Sequence, residues 1–241
     1  MKSLRNLATL LALAVGFISC VDGQFYHSVR GNGNVVKKER TMSGFDAVKV
    51  SSGIDVYLSQ GDKESVTVEA DENLHDYIVT EVRNGVLNVY TDNVSIRHAE
   101  RERVYVTIKD VKSLRTSSAG DIVGETPIKC GDIEISASSS GDITLELHAD
   151  KVDVDISSAG DIKLNGDAQS LRADLSSAGS LKAYDFKVKE ADVSVSSAGD
   201  ADIYASDKLM ARASSAGDIH YMGSPKYVDA HSSSAGGIHS R

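Results

Sequence analysis

The sequence predicts an all-β solenoid, a parallel β-helix of about 19–20 residues per coil. The first ground is a recurring phrase. Ser-Ser-Ala-Gly stands at 117–120, 157–160, 176–179, 196–199, 214–217 and 233–236, and Ser-Ser-Ser-Gly at 138–141. Its glycines (Gly120, Gly141, Gly160, Gly179, Gly199, Gly217 and Gly236) are 21, 19, 19, 20, 18 and 19 residues apart. The second ground is the period-two alternation of apolar and polar residues between the phrases, which marks half-buried strands. The third is composition, rich in Val, Ile, Ser, Gly and Asp, with two prolines and no Trp.

In chain order, residues 1–19 read as a lipoprotein signal peptide. Lys2 and Arg5 form a positive start, and residues 7–18 form an apolar run too short for a membrane span. Phe17-Ile18-Ser19-Cys20 resembles a bacterial lipobox, so Cys20 is expected to carry the lipid. With Cys20 acylated, Cys130 has no disulfide partner and reads as a buried structural thiol. Residues 20–32 then form a polar tether.

Residues 33–115 are expected to form less regular N-terminal β coils. Val48 and Val50, then Ile54, Val56 and Leu58, alternate as strands around Ser51-Ser52-Gly53, a degenerate copy of the later turn. Asn84-Gly85 between alternating segments predicts a hairpin with a type I′ turn. Residues 73–80 are the one stretch with helical character. The mixed-charge stretch 97–103 reads as a solvated loop.

Residues 116–241 are expected to form regular coils of the same continuous domain. In the unit 157–175, the turn is followed by inward Ile162 and Leu164, a second turn at Asn165-Gly166-Asp167, and inward Leu171, Ala173 and Leu175. Each coil is thus expected to hold two clear strands, with room for a brief third. Gly is assigned the left-handed corner, and Ser and Ala are small enough to stack. Seven coils at ~4.8 Å make a rod on the order of 30 Å long.

Charge and spacing narrow the function classes. Removal of residues 1–19 takes away Lys2 and Arg5 and no acid, so the net charge moves from −9 to −11. Such a surface disfavours nucleic acid. Asp121, Asp142, Asp161, Asp200 and Asp218 follow their glycines and form a column that invites a cation reading. Ser180 and Gly237 interrupt that column, which favours carboxylates capping backbone N–H groups and no metal. Thr144, Lys163, Lys182, Asp202, His220 and His239 face outward, one per coil, a composition too varied for an acid–base site. His220 and His239 match in adjacent coils, with His231 between them in sequence, a surface metal pair in principle. No catalytic set and no cofactor motif is discernible. Eight of the nine tyrosines (Tyr57, Tyr77, Tyr90, Tyr105, Tyr184, Tyr204, Tyr221, Tyr227) are available for ligand contacts or for filling the core and its ends.

The run Gly44-Phe45-Asp46-Ala47-Val48, the following Ser51-Ser52-Gly53-Ile54-Asp55-Val56 and the segment 66–74 carry a family resemblance. With the Asn84-Gly85 hairpin, Leu87 and the Ser-Gly-Asp-Ile repeats, they resemble the putative auto-transporter adhesin, head GIN domain family over roughly residues 33–240. The resemblance implies a right-handed β-helix in an exported or lipid-anchored protein of Bacteroidetes, at the outer membrane or cell surface. It brings no catalytic residues with it.

The expected function is therefore a non-enzymatic cell-envelope adhesin or ligand-binding module, held to the membrane by its lipid, with a glycan or a host protein as ligand. The alternative is a carbohydrate-active β-helix enzyme, a polysaccharide lyase or hydrolase. Replacing Cys20 by Ser is expected to move the protein from the membrane fraction to the soluble fraction on cell fractionation; retention in the membrane would refute the lipobox.

Overall fold

Alternation along the repeats becomes structure directly. The computed structural model describes residues 27–241; the expected signal peptide and Cys20 lie outside the described residues. In the strand β14 (Asp142–Ser157), Ile143, Leu145, Leu147, Val152, Val154 and Ile156 are buried, while most of the residues between them face solvent. The strands β15 (Asp161–Leu175), β16 (Ser180–Val195) and β17 (Asp200–Ala213) repeat the pattern and pair in parallel, each on the one before. The last coils are β18 (Asp218–Met222), β19 (Tyr227–Ser232) and β20 (Gly237–Ser240). Like stacks on like: Ile143, Ile162, Leu181, Ala201, Ile219 and Ile238 form one interior column. A single hydrophobic cluster runs from Phe45 to Ile219. The chain is a β-solenoid of about seven turns.

From β14 to β17 each coil is one bent strand, where two clear strands with room for a brief third were expected; in the coils on either side the strand is broken at the bend. The expected second turn at Asn165-Gly166 is a bend within β15, where Gly166 has φ +111° and a Cβ would run into the Leu147 carbonyl. Variation in coil length is absorbed at this bend. Between β15 and β16 the register shifts after Lys163, and between β16 and β17 it shifts again after Lys182. These are the coils whose glycines are 20 and 18 residues apart.

The turn corrects the role expected of its glycines. Ser158 and Ala159 hold the left-handed conformation, at φ 51° and 61°, and the same two positions do so in all seven copies. Gly160 closes the turn with its N–H on the Ser157 carbonyl at 3.2 Å and has no positive φ. Glycine is needed there because a Cβ would lie 2.8 Å from the carbonyl carbon and oxygen of Ala137 in the preceding coil. Close approach, not backbone freedom, selects it. The strained Ser–Ala pair is pinned from both sides: the Ala159 N–H donates to the Ser177 carbonyl (3.0 Å), and Ser140 N–H to the Ser158 carbonyl (3.2 Å).

The N-terminal strands are less regular. The strands β1 (His27–Arg30), β2 (Val35–Arg40), β3 (Ala47–Val50), β4 (Asp55–Gln60) and β5 (Ser65–Asp71) come first. After them come β6 (Ile78–Arg83), β7 (Val86–Thr91), β8 (Val94–Arg97), β9 (Glu102–Ile108), β10 (Ser113–Thr116), β11 (Asp121–Gly124), β12 (Ile128–Lys129) and β13 (Asp132–Ser138). β3 and β4 flank Ser51-Ser52-Gly53, which stacks on the first full turn through the Gly53 N–H and the Ser118 carbonyl (3.0 Å). β4 lies between β9 and β11, and β3 between β7 and β10, all in parallel. Beyond them the sheet turns antiparallel: β5 pairs with β9 and β2, and β6 with β7 across Asn84 and Gly85, both at positive φ. The stretch read as helical holds only a 3-10 turn, Glu72–Leu74, before β6; Leu74 and Ile78 are pulled into the sheet core. Residues 27–30, within the segment read as a tether, form β1 against β8. No helix among the described residues is long and apolar enough to cross a membrane.

Two acids organise this end. Asp71 is fully buried, and its carboxylate accepts the N–H of Gly33 (2.7 Å) and of Glu100 (3.0 Å), tying two loops to β5. Glu102 continues the inward parity of Val104, Val106 and Ile108, yet it is a carboxyl. Burial, and then the charges of Asp55 and Asp71, push it up to about 7 from its ordinary 4.5.

Two outcomes follow. Gly160→Ala should lower stability by ~1–3 kcal/mol, whereas Ala159→Gly, which relieves a left-handed alanine, should be neutral or stabilising; thermal melts of both variants decide it. Because the folded pKa of Glu102 is raised, its stabilising protonated form is retained below about 4.5 and lost as pH rises through about 7. Glu102→Gln should therefore gain stability above pH 7, on the order of 1 kcal/mol after solvent screening is allowed for, and little at pH 4. Equal gains at both pH values would contradict this.

Candidate functional site

The turn residues hardly differ from copy to copy, so variable chemistry falls on the outward residues beside them. Two residues before each first turn serine from Ser138 onward stand Ser136, Asp155, Asp174, Ser194, Arg212 and His231, aligned coil on coil. Beside them runs a column of turn serines: Ser157, Ser176, Ser196, Ser214 and Ser233. The two columns line an open groove of about 620 Å³ that follows the solenoid axis. The ridge of left-handed Ser–Ala pairs adjoins these serines.

Charge in the groove is largely compensated from the neighbouring outward column. Arg172 pairs with Asp174 (3.2 Å), Arg212 with Asp192 (3.4 Å) and His231 with Asp229 (2.9 Å). What the groove offers is a ladder of hydroxyls, with acids towards Asp155 and a guanidinium towards Arg212. Asp155 and Asp174 are neighbours in the column, but Asp155 is exposed and Asp174 is held by a guanidinium. Glycoside cleavage needs a desolvated acid, the opposite environment.

The other candidates resolve as follows. Thr144, Lys163, Lys182, Asp202, His220 and His239 do stack in one column past the turn. His220 and His239 lie 5.1 Å apart by ring centroid, while His231 belongs to the groove column on the other side of the turn. Among the described residues, no group of three His, Cys, Asp or Glu is placed to hold a metal. In the aspartate column, Asp142 N–H donates to Asp121 Oδ1 (3.1 Å) and Asp161 N–H to Asp142 Oδ1 (3.3 Å). Burial raises the pKa of Asp121, Asp142 and Asp200, and neighbouring carboxylates add to it. Cys130 is half-buried, and burial followed by Asp150 and Asp132 pushes its thiol up to about 11, which makes it a poor nucleophile.

Several tyrosines are already engaged. Tyr57 and Tyr105 stack at 5.3 Å, with Arg103 over the first and Lys37 over the second. Lys187 covers Tyr204, and Arg241 covers Tyr184. Tyr90 donates to Glu81 (3.1 Å). The residues that sequence reasoning missed are the groove column itself and Asp71. The first had a signal, a fixed offset from each turn; the second had none.

The family model described as putative auto-transporter adhesin, head GIN domain, matches residues 44–225. Among solved structures, a putative adhesin from Bacteroides fragilis is 19% identical, with a TM-score of 0.81, covering 88% of this chain and 100% of its own. A putative adhesin from Parabacteroides merdae is 24% identical, with a TM-score of 0.72, covering 89% of this chain and 99% of its own. A putative lipid binding protein from Parabacteroides distasonis is 25% identical, with a TM-score of 0.70, covering 89% of this chain and 99% of its own. The first two likenesses show the fold alone. No curated protein matches the chain. With the family model spanning residues 44–225 of 241, the chain belongs to the putative auto-transporter adhesin, head GIN domain family.

Proposed function

We propose that this protein is an exported, lipid-anchored adhesion module of the cell surface that binds a polyhydroxylated chain, a glycan, along the serine groove. The observation that carries the reading is the groove itself: five turn serines in line, open at the surface and running across successive coils. Hydroxyls spaced by the coil rise of ~4.8 Å present donors and acceptors at regular intervals, which suits an extended polymer better than a compact small molecule. The compensated charges on its flank favour a neutral or weakly charged ligand. The family description and the names of the similar structures support adhesion over catalysis. Anchoring rests on the Cys20 lipobox. The Parabacteroides distasonis neighbour's name raises a lipid as an alternative occupant; Ile156, Leu175, Val195 and Ala213 also line the groove, but its openness to solvent suits an acyl chain poorly.

Glycan-array binding followed by Ser176→Val and Ser196→Val tests the reading. The pair should weaken binding about tenfold or more, equivalent to ~1.4 kcal/mol, with an unchanged melting temperature. Cleavage of any polysaccharide in the panel would sink the adhesin reading, and binding of fatty acid in preference to glycan would reassign the groove.

A further inference from the structure

The two ends of the solenoid differ. At the N-terminal end two strands of the large sheet are paired on one side only: β2, Val-Val-Lys-Lys-Glu-Arg, has four charges in six residues, and β6, Ile-Val-Thr-Glu-Val-Arg, has two, which blunts both against pairing. At the C-terminal end, β19 pairs with β17 and β20 with β18, and neither pairs with a further strand among the described residues. Tyr227 and Val228 are 55% and 43% exposed, two of the three large exposed hydrophobics among the described residues. Val228 sits atop Leu209 in a core column that no other coil covers among the described residues.

The backbone of β19 shows which groups are free. Ser233 N–H donates back to the Ala213 carbonyl (3.0 Å). Neighbouring residues of a parallel strand alternate between its two sides, so the odd residues of β19 bond to β17. Val228, Ala230 and Ser232 therefore turn their N–H and C=O groups to the open edge.

We propose that the protein self-associates tail to tail, with β19 of one copy pairing antiparallel to β19 of a second about a two-fold axis at Ala230. In that register Ala230 faces Ala230 of the second copy, and Val228 faces its Ser232. The three outward residues of each strand then satisfy one another. The intervening non-hydrogen-bonded pair sets Asp229 against His231 of the second copy, the closer of the two cross-strand spacings. The Asp229–His231 pair within one strand, at 2.9 Å, becomes an alternating set of four groups. Self-complementarity of both backbone and charge argues for a second copy as the occupant, and the charge-studded β2 edge argues against head-to-tail stacking. The isologous contact closes on itself, so association stops at a dimer. The inference deepens the adhesion reading and, in one respect, rests on it: if Cys20 anchors the N-terminal end, β19 faces away from the membrane and the contact joins copies on facing surfaces.

Sedimentation equilibrium of the full-length protein in mild detergent tests the pairing without reference to anchoring or glycan. A mass rising with concentration to twice that of the chain is expected. Ala230→Pro, which removes the central donor at an edge position, should abolish the dimer. His231→Asp, which brings four carboxylates together, should weaken it at least tenfold, and adding Asp229→His to it should restore it. A monomer at every concentration, or a dimer indifferent to both Ala230→Pro and His231→Asp, would overturn the proposal. Failure here leaves the groove reading intact, because the glycan assay is read separately.

Discussion

The backbone hydrogen bond that passes through the turn, from the alanine N–H of one coil to the second serine carbonyl of the next, is the constraint on which the rest of this structure depends. It holds two consecutive residues with side chains in a conformation that costs each roughly 1–2 kcal/mol relative to right-handed backbone. An isolated turn of this kind would favour Asn-Gly. Here the conformation is fixed from above and below, and the turn residues need only be small enough to stack. The glycine that follows answers a different demand, the lack of room for a Cβ against its neighbours, at Gly160 and Gly236 against a carbonyl of the coil beneath.

That constraint explains where recognition can lie. Six of the seven turns are Ser-Ser-Ala-Gly, and the residue after the glycine is drawn into capping the neighbouring strand in the aspartate column. Individuality is left to the outward positions on either side. One of these columns is flat and mixed in sign. The other lies beside the turn serines and becomes a groove. The scaffold thus sets the direction and spacing of the groove, and the side chains set its chemistry.

Much of this was legible in the sequence. The glycine spacing set the coil length, and the structure shows that its 20- and 18-residue intervals are the coils whose register shifts at their bends. Asn84-Gly85 announced its hairpin, and Ser51-Ser52-Gly53 its degenerate turn. Two local readings failed for physical reasons. Residues 73–80 carry helix-compatible residues, but the buried positions of Leu74 and Ile78 are claimed by the sheet. The turn glycine was read as a left-handed residue because intrinsic preference was weighed without the coil beneath it. The groove was hidden because its column has no common residue type, only a common offset. Asp71 was hidden because its two donors arrive from loops about thirty to forty positions away.

The identity of the bonds above and below each turn has an evolutionary corollary. A unit of 19 residues duplicated in frame between Gly160 and Gly179 would meet the same partners on both sides as the original. A unit one residue longer or shorter would be accommodated at the second bend, as β16 and β17 already are. Each such event would extend the rod by one rise and add one hydroxyl to the groove together. Length of the rod and length of the groove are in this architecture a single inherited variable, set by copy number.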